Sequence, residues 1–294
     1  LMNFSIKIFF SIFSSLTFAV GCKSDKNMMS KDNLLPPKAD IIPHQHKIHD
    51  HIRIDDYYWL KDRENPEVVD YLERENDYYQ KMTAPTKKLQ ESLFDEMKGR
   101  IKEDDSSVPY FYNDYWYITR YETGRDYPIY TRKKETLEAE EEVLFDCNLM
   151  ATDHDYFSLV GINVSPDNSK IAYALDTLSR RKYIIYVKDL SDGSLLKTKI
   201  KNTTGGSVWG ADSKTLYYNR KNPETLRSEA VLKHDIQLPD QVDEMVYEEV
   251  DETYSVHISK SKSKEYIFIS SFSTLTSEHR FLKADDHYSN FKII

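Results

Sequence analysis

Four histidines fall within eight positions near the start of the chain, in the segment "HQHKIHDHIRIDDYYWLKD" that covers residues 44–62. Histidine clusters are typical of metal sites because imidazole nitrogens bind zinc and nickel. On a single extended segment, however, His44 and His46 share one face while His49 and His51 point to the other. A zinc site needs three or four ligands that converge on one point. The pattern therefore favours a structural arm, and stoichiometric, micromolar zinc or nickel binding would contradict that interpretation.

A nucleophilic serine would be a second possible source of catalytic chemistry. The nucleophile turn of α/β-hydrolases carries a G-x-S-x-G motif, and none occurs in the sequence. The nearest segment is "TGGSVWG", where Ser207 follows Gly206 and precedes Val208 in a strand-like region, so we interpret Ser207 as structural. The remaining histidines lie on predicted strands or loops with no nucleophile nearby; they are His154, His234, His257, His279 and His287. The sequence therefore predicts no catalytic residue within this chain.

The first 22 residues have the composition of an export signal. One basic residue, Lys7, precedes a short apolar run, "IFFSIFSSLTFAV", and Gly21 stands directly before Cys22. The run is too short to span a bilayer comfortably, and its flanks are those of a secretory signal. The Gly-Cys junction predicts a bacterial lipoprotein signal in which Cys22 is acylated, although Ala19 stands where leucine is usual. Plain secretion, an uncleaved anchor and chance remain alternatives; we expect an exported protein that is periplasmic or anchored to a membrane.

The second cysteine has no such role. If Cys22 carries lipid, Cys147 is left without a partner, so no internal disulfide is available. The segment "LFDCNLM" contains no basic residue or histidine that would activate a thiol. We expect Cys147 to be a packed thiol. No cofactor and no metal are expected.

The amino-acid composition indicates which class of partner to exclude and which fold class to expect. The 294 residues carry a net charge of −9, which argues against nucleic acid as a partner because phosphate binding needs clustered Lys and Arg. The 22 tyrosines suit half-buried pleated surfaces and favour a strand-rich protein.

The segments before the strands divide into a linker and a helical region. Residues 23–38 are polar and contain two prolines, which is typical of a linker, and residues 39–106 form the predicted arm and helical hairpin. Asn65 is a predicted cap with Pro66 at the first helical position, and Thr86 is a predicted cap for a second helix. Apolar residues at helical spacing predict a buried stripe on each helix; they are Val68, Val69, Leu72, Tyr79 and Met82, then Leu89, Leu93, Phe94, Met97 and Ile101.

Residues 107–294 predict a mainly β domain. Short aromatic and β-branched runs alternate with turns, and Asp192-Gly193 between two such runs indicates a hairpin. The segments "VSPDNSKIAY", "WGADSKTLYY" and "ISKSKSKEYIFI" repeat a polar turn before a strand about 45 to 50 residues apart. "DYWYITRY" is the matching strand of an earlier repeat. The spacing predicts an incomplete β-propeller of about three to four blades.

A long ordered series of segments resembles one known family. "RIDDYYWLKDRENPEVVDYLERENDYY", "LFDEMKGRIKEDDSSVPY" and "YITRYETGRDYPIYTRKK" closely resemble the N-terminal part of the oligopeptidase B, or protease II, branch of the prolyl oligopeptidase family of serine peptidases. The histidine segment fits the family pattern His-Gly-x-x-Arg-x-Asp at His49, Arg53 and Asp55. Asp50 replaces the usual glycine, so the local turn is expected to differ. The resemblance covers nearly everything from about Pro36 onward.

The resemblance implies a seven-bladed propeller and an α/β-hydrolase domain that supplies a Ser-Asp-His triad. We expect that hydrolase domain to be absent from this chain, which alone would be inactive. The intact enzyme would hydrolyse short basic peptides after Lys or Arg, with the propeller restricting substrate size. An alternative is a non-catalytic, lipid-anchored propeller that serves as an interaction module, and a third is a degenerate product that folds poorly. Asp104-Asp105 and the acidic run from Glu138 are interpreted as solvated loops in preference to a device that attracts basic peptides.

Overall fold

The computed structural model describes residues 34–294. The predicted signal, the Cys22 acylation site and most of the predicted linker lie outside the described residues. The described residues divide into two compact units, and the boundary between them falls after Ile101. Among residues 34–294, no helix combines the length and the apolar character that crossing a bilayer requires.

The described part of the first unit contains a β-hairpin followed by two helices. Strands β1 (His44–Ile48) and β2 (His51–Asp55) pair antiparallel, and a 3-10 turn follows them. Helix α1 (Pro66–Thr83) and helix α2 (Lys87–Gly99) are joined by a second 3-10 turn.

The two predicted helix caps have different outcomes. The Asn65 side chain accepts a hydrogen bond of 2.9 Å from the Glu67 N–H, and Pro66 begins α1, which confirms that cap. Thr86 occupies the cap position of α2, but its hydroxyl donates to the Thr83 carbonyl at 2.7 Å. The predicted side-chain cap at Thr86 is therefore wrong, because the preceding 3-10 turn holds Thr86 in a helical conformation (φ −94°, ψ −3°) in which its hydroxyl accepts no hydrogen bond from the first-turn N–H groups.

The predicted apolar stripes are present, but they are not core. Val68 is buried, whereas the other stripe residues of both helices are exposed or half-buried at most. The expectation that these stripes are buried is wrong for the described residues. Helical spacing places apolar side chains on one face, and it does not supply a surface that covers them.

The second unit is a succession of antiparallel strands. The first four are β3 (Tyr110–Tyr112), β4 (Tyr115–Arg120), β5 (Ile129–Lys134) and β6 (Glu141–Asp146), followed by the short helix α3 (Cys147–Met150). The next seven are β7 (Ser158–Val164), β8 (Lys170–Asp176), β9 (Tyr183–Asp189), β10 (Leu195–Trp209), β11 (Thr215–Lys221), β12 (Ser228–Asp235) and β13 (Glu244–Glu248). The last four are β14 (Ser255–Lys260), β15 (Tyr266–Phe272), β16 (Ser277–Lys283) and β17 (Lys292–Ile293).

Strand β10 belongs to two blades at once. Its first half pairs with β9 and its second half pairs with β11, with a register shift between Thr203 and Ser207. The continuous sheet from β7 to β13 is therefore two four-stranded blades joined through one long strand. Together with the separate sheets β3–β6 and β14–β17, this makes four blades of four strands, whose sheets do not close on one another. The prediction of a mainly β, incomplete propeller is confirmed.

The blades pack face to face because successive strand residues point to opposite sides of a sheet. In β11, Leu216 and Tyr218 join the apolar cluster between the second and third blades, whereas Tyr217 joins the cluster between the third and fourth. In β12, Val231 points to the fourth blade while its neighbours Ala230 and Leu232 point to the second. Each middle blade thus contributes both of its faces to the core.

Candidate functional site

The histidine segment folds into a tight hairpin, which changes the faces predicted for it. His49 (φ 49°) and Asp50 (φ 59°) form the turn in the left-handed region, so Asp50 takes a position that glycine favours. The cross-strand pairs His46 with Arg53 and Ile48 with His51 place His51 on the face of His46. The expectation that His51 points away from His46 is therefore wrong, because it assumed one extended segment where the chain reverses.

Two of these histidines, His44 and His46, contact an aromatic neighbour. The His44 ring stacks on the Tyr58 ring with 4.0 Å between their centres, and His46 meets Tyr58 edge-on at 4.6 Å. Lys61 Nζ lies 3.8 Å from the centre of the Tyr58 ring. Among the described residues no group of three or more histidine, cysteine or carboxylate side chains is placed to hold a metal ion. The geometry is that of a packed aromatic arm.

Ser207 lies inside β10 and not on an exposed turn. It pairs with Tyr218, its carbonyl accepts a hydrogen bond from Asn163 Nδ2 at 2.8 Å, and its hydroxyl has no partner among the described residues. Gly205, two residues before Ser207, lies where β10 passes close to β7. A Cβ at Gly161 in β7 would collide with the carbonyl oxygen of Gly205. The "TGGSVWG" segment is therefore a junction between blades, and Ser207 has no base to activate it.

Two hydroxyl–histidine pairs were not visible in the sequence. Ser270 Oγ lies 2.9 Å from His279 Nδ1 across strands β15 and β16. Thr198 Oγ1 lies 3.4 Å from His234 Nε2, and His234 Nδ1 lies 2.6 Å from Asp243 Oδ1. The sequence predicts no nucleophile near these histidines and gives no sign of either hydroxyl, because cross-strand register brings together residues that are separated in sequence.

Neither pair is an assembled catalytic triad. Among the described residues, no carboxylate bonds the His279 ring to orient it toward Ser270. Thr198 is 1% exposed and His234 is 4% exposed, so a substrate carbonyl has no access to the threonine hydroxyl. Asp243 also accepts a hydrogen bond of 2.6 Å from the Tyr218 hydroxyl, and burial followed by the Asp243 carboxylate raises the pKa of Tyr218. The arrangement is a buried polar network that fixes the segment before β13.

A cavity lies at the edge of the third blade. It has a volume of about 700 Å³ and is lined by two histidine–carboxylate pairs, His234 with Asp243 and His287 with Asp212. The Asp212 carboxylate also accepts hydrogen bonds from the backbone N–H groups of Lys214 and Thr215. Both carboxylates therefore have partners within the protein, whereas His287 Nδ1 has none among the described residues.

Cys147 and the acidic segments behave as structural groups. Cys147 is buried in the cluster between the first and second blades, and burial raises the pKa of its thiol to about 12. Of the acidic run that begins at Glu138, Glu141 bonds Arg120 at 3.1 Å and Glu142 bonds Arg132 at 2.6 and 3.0 Å. Internal pairing of these acids weakens the case for attraction of basic peptides.

The turns between the first two strands of the blades meet one another, and this is the candidate functional region of the propeller. Asn113 Nδ2 donates to the Pro166 carbonyl at 3.0 Å, and the Asp167 N–H donates to Ser213 Oγ at 3.1 Å. Lys264 Nζ lies 4.2 Å from the centre of the Tyr112 ring, which joins the fourth blade to the first. The turns of the four blades therefore form one connected rim.

The rim has a repeated local structure. Asn113, Asn168, Ser213 and Lys264 all adopt left-handed backbone conformations at corresponding turns. Burial raises the pKa of Asp167, but hydrogen bonds from Ser165 and Ser169 outweigh it and lower that pKa to about 2. The repeat recognised in the sequence is thus a repeat of turn geometry.

Comparisons with known proteins give this architecture a family. Residues 36–294 match the family described as prolyl oligopeptidase, N-terminal beta-propeller domain. The dipeptidyl aminopeptidase BI of Pseudoxanthomonas mexicana is 40% identical over 263 residues, which cover 83% of this chain and 36% of the relative. Protease 2 of Moraxella lacunata is 34% identical over 265 residues, which cover 88% of this chain and 38% of the relative.

Solved structures agree with the sequence relatives. Oligopeptidase B from Leishmania major matches with a TM-score of 0.80 and 28% identity, over 88% of this chain and 39% of that chain. Oligopeptidase B from Trypanosoma brucei, in a closed form with covalently bound antipain, matches with a TM-score of 0.79 and 27% identity over the same shares, 88% and 39%. This chain spans less than two-fifths of the length of these relatives. It belongs to the prolyl oligopeptidase family of serine peptidases and comprises sequence of the family's N-terminal β-propeller domain.

Proposed function

We propose that this chain is the N-terminal propeller portion of an oligopeptidase B-like serine endopeptidase that hydrolyses short peptides after Lys or Arg. The observation that carries the proposal is the match of residues 36–294 to the N-terminal propeller of the family. The similarity to Protease 2 and to two oligopeptidase B structures supports the choice of this branch.

The propeller's task in this proposal is to select substrates by size. The rim of turns is tied together by the Asn113–Pro166 and Asp167–Ser213 hydrogen bonds. A rim held by such contacts yields little to a bulky substrate, whereas a short extended peptide needs no large opening. The chain therefore restricts access, and it does not perform the bond cleavage.

The cleavage itself belongs to a hydrolase domain that the rest of the protein supplies. A serine hydroxyl attacks the peptide carbonyl, a histidine accepts the serine proton, and an aspartate orients the histidine. Water then hydrolyses the acyl-enzyme. Within residues 34–294, the Thr198 hydroxyl is buried, Ser207 has no base and His279 has no carboxylate partner, so the chain alone is inactive in this proposal.

A blocked fluorogenic Arg-Arg peptide tests both parts of the proposal. The intact gene product should release the fluorophore, and the 294-residue chain alone should not. Turnover by the chain alone would contradict the separation of filter and catalyst. Absence of turnover by the intact product, with the hydrolase sequence present and folded, would contradict the assignment to oligopeptidase B.

A second candidate is an exopeptidase that removes dipeptides from a free amino terminus. It is favoured by the 40% identity to dipeptidyl aminopeptidase BI of Pseudoxanthomonas mexicana. The same assay separates the two when blocked and unblocked peptides are compared. An endopeptidase accepts both forms, whereas a dipeptidyl aminopeptidase requires the unblocked amino group.

We also propose that the protein is exported and held at a bacterial membrane by a lipid on Cys22. The sequence around the Gly21-Cys22 junction supports this. Labelled palmitate should be incorporated into the parent protein and into Cys147→Ser, but not into Cys22→Ser. A Cys22→Ser protein that still carried labelled lipid and remained in the membrane fraction would refute the anchor. A purely non-catalytic interaction module is the less favoured reading, because the family match is to a peptidase domain.

A further inference from the structure

Basic side chains concentrate on the outer part of the second blade, although the whole chain has a net charge of −9. Residues 158–203 contain eight basic and four acidic side chains. Six of the basic side chains are exposed, on the loop between β8 and β9 and on β10, and we call them the basic edge: Arg180, Arg181, Lys182, Lys197, Lys199 and Lys201. The second blade therefore has a charge opposite to that of the protein that carries it.

Three lysines of the basic edge lie on one face of β10. Thr198 and Ile200 are buried, so the alternation of the strand leaves Lys197, Lys199 and Lys201 exposed on the opposite face. The pairing of β10 with β9 shifts register between Leu195 and Lys199 and again between Ile200 and Thr203, so the three charges form a row without uniform spacing. Within residues 34–294, none of these lysines forms an ion pair with a carboxylate.

The two arginines stand on a loop that is held in place from inside. The Asp176 carboxylate is 2% exposed and accepts backbone N–H bonds from Leu178, Arg180 and Arg181 at 2.9, 3.0 and 2.7 Å. Lys221 Nζ donates to the Arg181 carbonyl at 2.7 Å. The Asp176 carboxylate is thus occupied by the loop backbone, and residues 177–182 contain no acidic side chain that would neutralise the arginines.

The cations near this loop also act on each other. Burial, and then the charge of Arg181, lowers the pKa of Lys221. Grouped cations repel one another, and an anion placed against them removes that repulsion. The basic edge is therefore prepared for a negatively charged partner.

The shape of the basic edge indicates the kind of anion. The cavity at the third blade and the aromatic arm of the first unit are lined by other residues, so neither provides a pocket for the basic edge. Flexible lysines on a strand face form no pocket that would recognise a single ligand group. Their separated charges suit a surface that carries many negative charges. We propose that the basic edge binds a surface of anionic phospholipid. This proposal does not depend on the catalytic assignment or on the lipid at Cys22.

A simpler role for the lysines makes a different prediction. The first half of β10 is the last strand of its blade, and charged side chains on such strands prevent pairing with other chains. In that case, neutral substitutions would promote self-association without affecting any membrane. The two roles are therefore separable by experiment.

Co-sedimentation with vesicles tests the proposal on the 294-residue chain carrying Cys22→Ser, so that no acyl chain contributes. Vesicles of phosphatidylcholine are compared with vesicles that contain about 30% phosphatidylglycerol, at about 0.1 M and about 0.5 M salt. The triple variant K197Q/K199Q/K201Q is compared with the matched control K81Q/K87Q/K88Q, whose lysines are exposed in the first unit. The apolar run near the N terminus is common to all samples and cancels in the comparison.

We expect the parent and the control to bind anionic vesicles more tightly than neutral ones, with most of that difference lost at the higher salt. Each lysine near an anionic bilayer contributes about fivefold, so the triple variant should lose at least about tenfold in affinity. Equal binding of the triple variant and the control would overturn the proposal. So would self-association of the triple variant with unchanged vesicle binding, or parental binding to polyglutamate with none to anionic vesicles.

Discussion

The helical hairpin of the first unit and the blades of the second carry the same kind of sequence signal with opposite results. Both show apolar residues at the period of their secondary structure. In the hairpin the stripe that includes Leu93, Phe94 and Met97 is exposed, whereas in the blades Tyr217 and Ile267 are fully buried. Each middle blade has a neighbour on either side that is encoded in the same repeat. Periodicity in the sequence therefore identifies an apolar face, whereas burial of that face depends on a second surface that covers it.

The largest expected effect comes from removing a large side chain between two blades. Trp209 is 1% exposed and its Nε1 donates to the Asn163 carbonyl at 2.8 Å. Trp209→Ala should lower the free energy of unfolding by about 3–5 kcal/mol, because it leaves a cavity and an unpaired carbonyl. Urea unfolding followed by fluorescence and circular dichroism measures the change.

The matched substitution lies in the hairpin. Phe94 is 61% exposed, so Phe94→Ala should change the free energy of unfolding by no more than about 0.5 kcal/mol. If Phe94→Ala were as costly as Trp209→Ala, the contrast between the two regions would be wrong and the stripe would have a partner in solution.

A buried amide that links two blades should give the next largest effect. Asn219 Nδ2 donates to the Val256 carbonyl at 3.2 Å, and Asn219 Oδ1 accepts from the Ile258 N–H at 3.1 Å. Asn219→Ala should lower the free energy of unfolding by about 2 kcal/mol, because the buried N–H loses its acceptor. The exposed substitution Asn290→Ala serves as the control in the same urea titration. Equal midpoints for the two variants would show that the blades do not rely on this link.

The rim of turns should respond to acid. The pKa of Asp167 is about 2 in the folded protein, below its ordinary value of 3.8. A carboxyl whose pKa is lowered by folding stabilises the protein above about pH 4, and this contribution is lost as the pH falls toward about 2. Since Asp167 is exposed, screening reduces the effect to about 1 kcal/mol.

Asp167→Asn tests this by removing the titration. The unfolding free energy of the parent should fall more steeply between about pH 5 and about pH 3 than that of the variant. The exposed Asp285→Asn provides a control of equal charge. A variant whose acid dependence matched that of the parent would place the acid response elsewhere than in the rim.

The smallest expected effect concerns the hairpin turn of the first unit. Asp50 has a φ of 59°, a conformation that glycine adopts more readily. Asp50→Gly should stabilise the hairpin by about 0.5 kcal/mol, seen as slower amide hydrogen exchange in β1 and β2. Lys47→Gly, inside β1, should have the opposite effect. Faster exchange in Asp50→Gly would show that the aspartate side chain stabilises the turn.

Much of the fold was predictable because its determinants are local. The Asn65 cap, the Asp192-Gly193 turn and the repeated turn between the first two strands of each blade depend on a few neighbouring residues. Gly193 has a φ of 76° in the turn between β9 and β10, as its place after an aspartate predicts. The number of blades was less certain because β10 continues from one blade into the next.

The contacts of the histidines with hydroxyl and carboxylate groups were less predictable, because they join residues on separate strands. His234 meets Asp243 and Thr198 only after β12 and β10 have been placed in the sheet. His51 shares a face with His46 because the chain reverses at His49 and Asp50. Neither arrangement can be inferred from the spacing of these residues along the sequence.

The sequence by itself determined the mainly β architecture, the repeat of the blades and membership in a peptidase family. These follow from alternation with a period of two, from turn residues and from a long ordered resemblance, all of which act within short windows. Only the tertiary structure decided that the helical stripes are exposed, that Thr198 is sealed beside its histidine and that basic side chains gather on one blade. The physical reason is that burial and charge grouping depend on surfaces brought together across the chain, whereas periodicity depends on the local backbone alone.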